Sequence, residues 1–388
     1  MFYLVTLTFW FSMYTCVPIL ASYLEYLGAS YDTIGLIIGM YGLTQLLLRI
    51  PVGVVSDRYH KRRIFITFGL MFSLLSGIGI VFAQEVSWIL ILRALAGAAA
   101  ATWVDFTILF SSYFAKEHTT KAIGNISFFS TVGQMVGILS GGWFAAAFGF
   151  ESAFIVGGIA GAIGLVLSFF LIENTDISAE KITLKGVLEV ASDSILLRVS
   201  FVAILSQIMT FATVFGFTPV FAQSLGAGEF EMGLLTFFST FPTAVAGMIG
   251  GGFLSSKYGE KKVVIFGFLL VGVFTVIIPY VSSITTLIIT QTFAGFGRGF
   301  VMPILMALSI KHIEQSRRST AMGFYQAIYG VGMFIGPILM GLLIDWRGLE
   351  TGFVFMGVLG FLTAFLSYKL IKLTTPSSYT DQLVKVSN

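Results

Sequence analysis

The segment Gly53-Val-Val-Ser-Asp57-Arg58-Tyr59-His60-Lys61-Arg62-Arg63 returns, roughly half a chain length later, as Gly252-Phe-Leu-Ser-Ser256-Lys257-Tyr258-Gly259-Glu260-Lys261-Lys262. A second match, Gly149-Phe-Glu151-Ser-Ala-Phe154 against Gly348-Leu-Glu350-Thr-Gly-Phe353, falls at the same offset. One offset shared by two separate matches implies two structurally equivalent halves in tandem. Any fold for this chain must therefore be built twice.

Composition decides the solvent. Of 388 residues, 56% are hydrophobic and 11% charged, whereas a water-soluble protein carries about a quarter charged residues. Apolar stretches of about 20 residues, enough to cross the hydrocarbon core as helix, recur throughout. They fall at about 3–24, 33–55, 64–83, 88–112, 122–147 and 152–172, then at about 197–221, 231–254, 263–281, 286–309, 320–344 and 351–372. The expected fold class is an all-α membrane protein, about twelve transmembrane helices in two six-helix pseudo-symmetric bundles. The bundles are expected over 1–172 and 197–372, with a cytoplasmic linker over 173–196 and a cytoplasmic tail over 373–388. The first apolar run starts at Met1, outruns a signal-peptide core and lacks a small-residue cleavage pattern, so it is expected to stay as the first span. In such a chain, two like halves suggest a transporter with its substrate site between them.

Basic residues fix the orientation. Eighteen of the 22 fall in alternate loops and the C-terminal segment: the Arg58 to Arg63 cluster, Lys116 and Lys121, Lys181, Lys185 and Arg198, Lys257, Lys261 and Lys262, Lys311, Arg317 and Arg318, then Lys369, Lys372 and Lys385. The intervening loops hold Glu25, Asp32, Glu85, Glu151, Glu229 and Glu231, with Arg347 as the one base. This asymmetry places both termini in the cytoplasm.

Gly53, Asp57, Arg58, Arg62 and Arg63 resemble the loop between the second and third helices of the major facilitator superfamily, G-x-x-x-D-R-x-G-R-R. His60 stands where that family has Gly. Arg93-Ala-Leu-Ala-Gly97 resembles the fourth-helix R-x-x-x-G element. Gly133-Gln134-Met-Val-Gly137-Ile138-Leu-Ser-Gly141-Gly142 resembles a fifth-helix element found in many antiporters, with Ile138 in place of its proline. Gly332-Met-Phe-Ile-Gly336-Pro337 repeats that pattern in the eleventh helix. The resemblance covers the full chain. It implies the two-bundle fold, alternating access and an integral protein of a bacterial or archaeal cell membrane, similar to bacterial drug and metabolite proton antiporters. It also implies that Asp57 holds the cytoplasmic gate by pairing across the two halves. A solvated loop acid beside positive-inside bases is the plainer alternative.

Glycines four apart share a helix face and let backbones approach closely, whether for helices that slide or for ordinary tight packing. Charges inside the spans need a partner, an interface or a wet cavity. Arg49 lies roughly 9 Å from the cytoplasmic end of its helix and Asp105 roughly 11 Å from the end of its own. Their similar depth predicts an Arg49–Asp105 ion pair, either structural or broken when Asp105 takes a coupling proton. Arg93 can snorkel outward or line the cavity. Arg298, roughly 18 Å deep, is expected to face the cavity and either receive a carboxylate or phosphate or serve as a packing element bonded to carbonyls. Further candidate cavity residues are Tyr41, Gln45, Trp103, Gln134, Gln207, Gln291, Tyr325, Gln326 and Tyr329, with Tyr325 and Tyr329 on one helix face.

Other chemistry is missing from the sequence. His60, His118 and His312 all fall in loops, and Cys16 is the single cysteine, so no metal site is expected. Without a phosphate-binding glycine loop followed by Lys-Ser/Thr, ATP is not hydrolysed on this chain. No cofactor and no enzymatic activity are expected, and the net charge of +3 argues against nucleic acid. The expected partners are a small-molecule substrate, the lipid bilayer and protons as coupling ion, around a monomer. Proton-coupled export of small organic or amphipathic compounds is the first expectation. The alternatives are an importer or exchanger of an organic anion centred on Arg298, and a membrane receptor or scaffold that transports nothing.

Overall fold

Hydrocarbon offers no hydrogen bonds, so each apolar run must satisfy its own backbone, which a helix does. The computed structural model describes residues 1–59, 61–83, 85–115, 118–174, 184–314 and 317–371, and among them there is no strand. The first half contains α1 (Phe2–Tyr14), α2 (Leu20–Tyr26), α3 (Tyr31–Tyr59), α4 (Arg62–Phe82), α5 (Val86–Ala101), α6 (Trp103–Ser111), α7 (Thr119–Phe148) and α8 (Phe150–Ser168). After α9 (Leu184–Ala191), the second half contains α10 (Ser194–Ala212), α11 (Thr218–Ser224), α12 (Glu229–Ile249), α13 (Ser255–Tyr258), α14 (Glu260–Val276), α15 (Ile284–Ile310), α16 (Arg318–Arg347) and α17 (Leu349–Leu370). Among the described residues, eleven helical segments are long and apolar enough to span a membrane, and α1 is a shorter apolar helix.

The sequence repeat is also a packing repeat. In the first half α1 packs on α7, α4 on α8 and α3 on α5; in the second, α10 packs on α16, α14 on α17 and α12 on α15. The junctions repeat as well. Gly149 (φ 87°) joins α7 to α8 and Gly348 (φ 86°) joins α16 to α17, both in the left-handed region where a Cβ is strained. Gly259 (φ 87°) makes the equivalent turn between α13 and α14; its counterpart His60 lies outside the described residues.

The structure corrects several expectations. The first span, expected as one helix over 3–24, stops at Tyr14 and resumes at Leu20. Pro18 sits in that break, and proline removes a donor and clashes with the preceding turn. The second half is interrupted at the matching place by a π-helical stretch, Thr213–Phe217, just before Pro219. The fourth span, expected over about 88–112, carries a single turn residue, Thr102, between α5 and α6. Part of the expected linker is the helix α9. Residues 175–183, the tail over 373–388, and Lys116, Lys181, Lys372 and Lys385 lie outside the described residues.

Candidate functional site

The seam between the halves is sealed at the face bearing the acidic loops. There α3 runs along α16 and α7 along α12. The approach is so close that a Cβ on Gly35 would strike the Pro337 carbonyl, and one on Gly142 would lie 2.7 Å from Gly233 Cα. Hydrogen bonds cross the same seam: Asp345 accepts from the backbone N–H of Asp32 (2.8 Å) and Tyr31 (3.3 Å), and Ser22 Oγ donates to Met232 Sδ (3.2 Å). Ile34, Ile37 and Ile38 join Met232, Phe217 and Met340 in one buried core across the seam.

Towards the basic face the halves part around a central cavity of about 450 Å³. Its walls include Tyr41, Gln45 and Arg49 from α3, Trp103 from α6 and Gln134 from α7. The second half supplies Gln207 from α10, Arg298 from α15, and Gln326 and Tyr329 from α16. A second cavity of about 320 Å³ shares Arg49, Trp103 and Gln326 with the first and extends past Gly53, Ile310 and Arg318 at the basic end. At that end Gly124 of α7 and Gly323 of α16 have open space where a Cβ would stand.

The ionisable groups take different partners from those expected. Asp105 is fully buried, yet its partner is Arg62, not Arg49: Arg62 Nη1 donates to Asp105 Oδ1 at 3.0 Å and to Ser56 Oγ at 3.3 Å. Arg62 Nη2 also donates to Asp57 Oδ1. A long guanidinium side chain reaches inward from a helix end as readily as outward, so Arg62, at the start of α4, spans a depth that residue counting assigned to Arg49. Arg49 instead points along its own helix and donates to Gln45 Oε1 (3.2 Å). The expected pairing of Asp57 across the halves is likewise not formed, because the basic ends stand apart and Arg62 of the same half occupies the carboxylate. Of the other motif residues, Arg58 is exposed, while Arg63 donates to the Leu171 carbonyl (3.2 Å). Glu173 accepts from the backbone N–H of Arg62 and Arg63, capping α4.

Arg298 is 6% exposed and donates to the Ser239 carbonyl at 3.1 Å, so it is both carbonyl-bonded and on the cavity wall. Arg93 is buried against the Tyr41 ring (5.2 Å to its centroid) and donates to Cys16 Sγ (3.8 Å). It borders small side cavities rather than the central one. Gln291 and Tyr325 do not line the central cavity either: both are buried, with no hydrogen-bond partner for their polar side-chain atoms among the described residues. Tyr325 packs edge-on against Tyr329 at 5.6 Å.

The glycine motifs divide their work. Gly133, Gly137 and Gly141 lie against Leu7, Phe11 and Thr15 of the same half, as Gly332 and Gly336 lie against Ile204 and Ile208 of theirs. Gly142 and Pro337 instead meet the opposite half. Sequence reading missed Trp10, Tyr14, Phe211 and Phe215, which complete the aromatic wall. Their signal was two aromatic pairs four residues apart, each on one helix face.

The Major Facilitator Superfamily model matches the chain twice, over residues 2–228 and 199–385. An uncharacterized MFS-type transporter of Methanocaldococcus jannaschii is 26% identical over 92% of this chain and 93% of its own. The multi-drug resistance efflux pump PmrA homolog of Lactococcus lactis is 24% identical over 91% and 90%. Among solved structures, a mutant of the nucleoside transporter NupG superposes with a TM-score of 0.76 at 15% identity, covering 96% of this chain and 100% of that one. A bacterial homolog of the human lysosomal transporter Spinster, inward-facing and unoccupied, gives 0.74 at 16% identity, covering 96% and 98%. These two likenesses show the fold.

Proposed function

The chain belongs to the major facilitator superfamily, and on that premise we propose that it is a secondary transporter exporting small organic or amphipathic compounds by proton-coupled alternating access. One observation carries this reading: the seam between the halves is closed at one face by Gly142, Gly35 and Asp345 and parted at the other around the central cavity. That asymmetry is one end-state of a rocking cycle, in which the segments 1–172 and 197–372 move as units about a fixed site. The basic loops make the open face the cytoplasmic one, with both termini there. A relative named as a multi-drug resistance efflux pump supports small organic cargo and the outward direction.

Asp105 is the carboxylate we assign to proton coupling. It is buried beyond the reach of its own short side chain to either interface, and its ion pair with Arg62 weakens when it is protonated. Protonation would release Arg62 towards Asp57 of α3 and loosen α6 from α3 and α4 at the basic end.

Purified protein in liposomes with an imposed pH gradient tests the reading against labelled anionic, zwitterionic and cationic solutes. We expect gradient-driven accumulation of at least one solute, abolished by Asp105→Asn while downhill exchange persists. Accumulation that survives Asp105→Asn would remove Asp105 from coupling. No flux of any solute, in either direction, would defeat the transport reading itself.

A further inference from the structure

The charged residues on the central cavity wall are Arg49 and Arg298; among the described residues no carboxylate lines it. The second cavity, leading to the basic face, adds Arg318 and, among the described residues, no acid. Both inner arginines are more than nine-tenths buried, and neither has a carboxylate within ion-pair distance among the described residues. Arg298 spends one donor on Ser239 and Arg49 one on Gln45, while Arg49 Nε has no partner. A guanidinium carries five N–H donors, so each retains unused capacity. Buried cations left in this condition are costly, and an anion that arrives with the cargo removes the cost.

The rest of the wall supplies the second half of the recognition. Trp10, Tyr14, Trp103, Phe211 and Phe215 surround the same space. Flat aromatic faces favour a ring that stacks offset or edge-on against them.

We propose that the cargo is an aromatic organic anion, its carboxylate or comparable planar acid drawn in past Arg318 and Arg49 and received by Arg298. The inference rests on the central cavity being the transport site. Charge steering towards a cleft lined by one sign raises the rate of capture, and the fork of Arg298 provides the two parallel donors that a carboxylate accepts. A cationic compound of the same shape meets three arginines on these walls and, among the described residues, no acid.

Equilibrium dialysis of the full chain in lipid nanodiscs, with labelled 2-naphthoate, 2-naphthylmethylammonium and 2-naphthalenemethanol, tests this with one ring and three charges. Naphthoate is expected to bind roughly tenfold or more tightly than the other two. Arg298→Gln is expected to erase that preference, Arg298→Lys to keep part of it, and the exposed Lys257→Gln to leave it intact. Equal or tighter binding of the ammonium or the alcohol to the unmodified protein overturns the proposal without recourse to any variant. So does undetectable naphthoate binding, or an Arg298→Gln protein that keeps the preference. Dialysis needs no alternation between states. Arg298-dependent binding without flux in liposomes would therefore defeat the transport reading alone, and flux of cations without anion binding would defeat this one alone.

Discussion

Asp345, near the end of α16, caps the first turn of α3 by accepting the Asp32 amide at 2.8 Å. The two residues belong to different halves, so the bond exists only while the acidic face is shut. A helix N-terminus presents unpaired N–H groups and a partial positive charge, and a carboxylate there is worth about 0.5–2 kcal/mol. Asp345→Ala should weaken the seal by about 1 kcal/mol, roughly a fivefold change in the balance between end-states, with Asp345→Asn intermediate. Distances between spin labels on the acidic ends of α3 and α16 will show it: the separated population should grow. An unchanged distribution in Asp345→Ala would mean that glycine packing alone holds this face.

Arg62 compensates two buried acids at once, Asp57 and Asp105. Removing one partner of a buried pair leaves an uncompensated charge, at a cost of about 3–5 kcal/mol. Arg62→Ala should therefore destabilise strongly in thermal unfolding in detergent. Adding Asp105→Asn to Arg62→Ala should recover part of the loss, since one stranded carboxylate is then neutral. Strictly additive effects in that double-mutant cycle would contradict the pairing.

Asp193 caps α10 through the amides of Ile195 (2.9 Å) and Leu196 (2.7 Å) and pairs with His312 Nε2 (2.7 Å). Burial works to raise its pKa, but the Leu196 amide, His312 and the Ile195 amide outweigh it and hold the carboxyl below its ordinary 3.8. A depressed carboxylate stabilises the fold above its unfolded pKa, and that contribution fades as pH falls through the folded one. Asp193→Ala should cost about 0.5–2 kcal/mol at neutral pH. Its deficit relative to the unmodified protein should shrink below about pH 4. A deficit that stays constant down to about pH 3 would assign the effect to packing instead.

Much of this architecture was legible because hydrophobic length and repeat offset are one-dimensional quantities. Twelve apolar runs and the shared offset foretold two equivalent halves, and the packing of α1 on α7 is matched by that of α10 on α16. Depth is one-dimensional too, which is why Arg49 and Asp105 were matched. Which way a side chain points around its helix is not, and the partner of Asp105 proved to be Arg62, reaching in from the next helix. The same ambiguity put Gln291 and Tyr325 among cavity candidates, although their helices turn them into the packing. Residues at one helix face share a direction, but only tertiary contact says what lies there. Pro18 was the plain mark of the break in the first span, hidden by the apolar residues around it.

Gly142 and Gly233 form the tightest test of the cycle. A Cβ on Gly142 would stand 2.7 Å from Gly233 Cα and 2.8 Å from the Glu229 carbonyl, all backbone that cannot swing aside. Gly142→Val should therefore prevent the acidic face from closing and trap the cavity open towards it. Gly124→Val, on the same helix but facing open space, controls for helix propensity. Because Cys16 is the single cysteine, a Cys16→Ala background with Ser130→Cys on the cavity wall gives one reporter thiol. In sealed vesicles of either orientation, an impermeant thiol reagent should reach that reporter from the basic face in the parent protein. In Gly142→Val it should reach it from the acidic face, with transport lost. Labelling from the basic face at the parent rate in Gly142→Val would show that the halves do not rock about this contact.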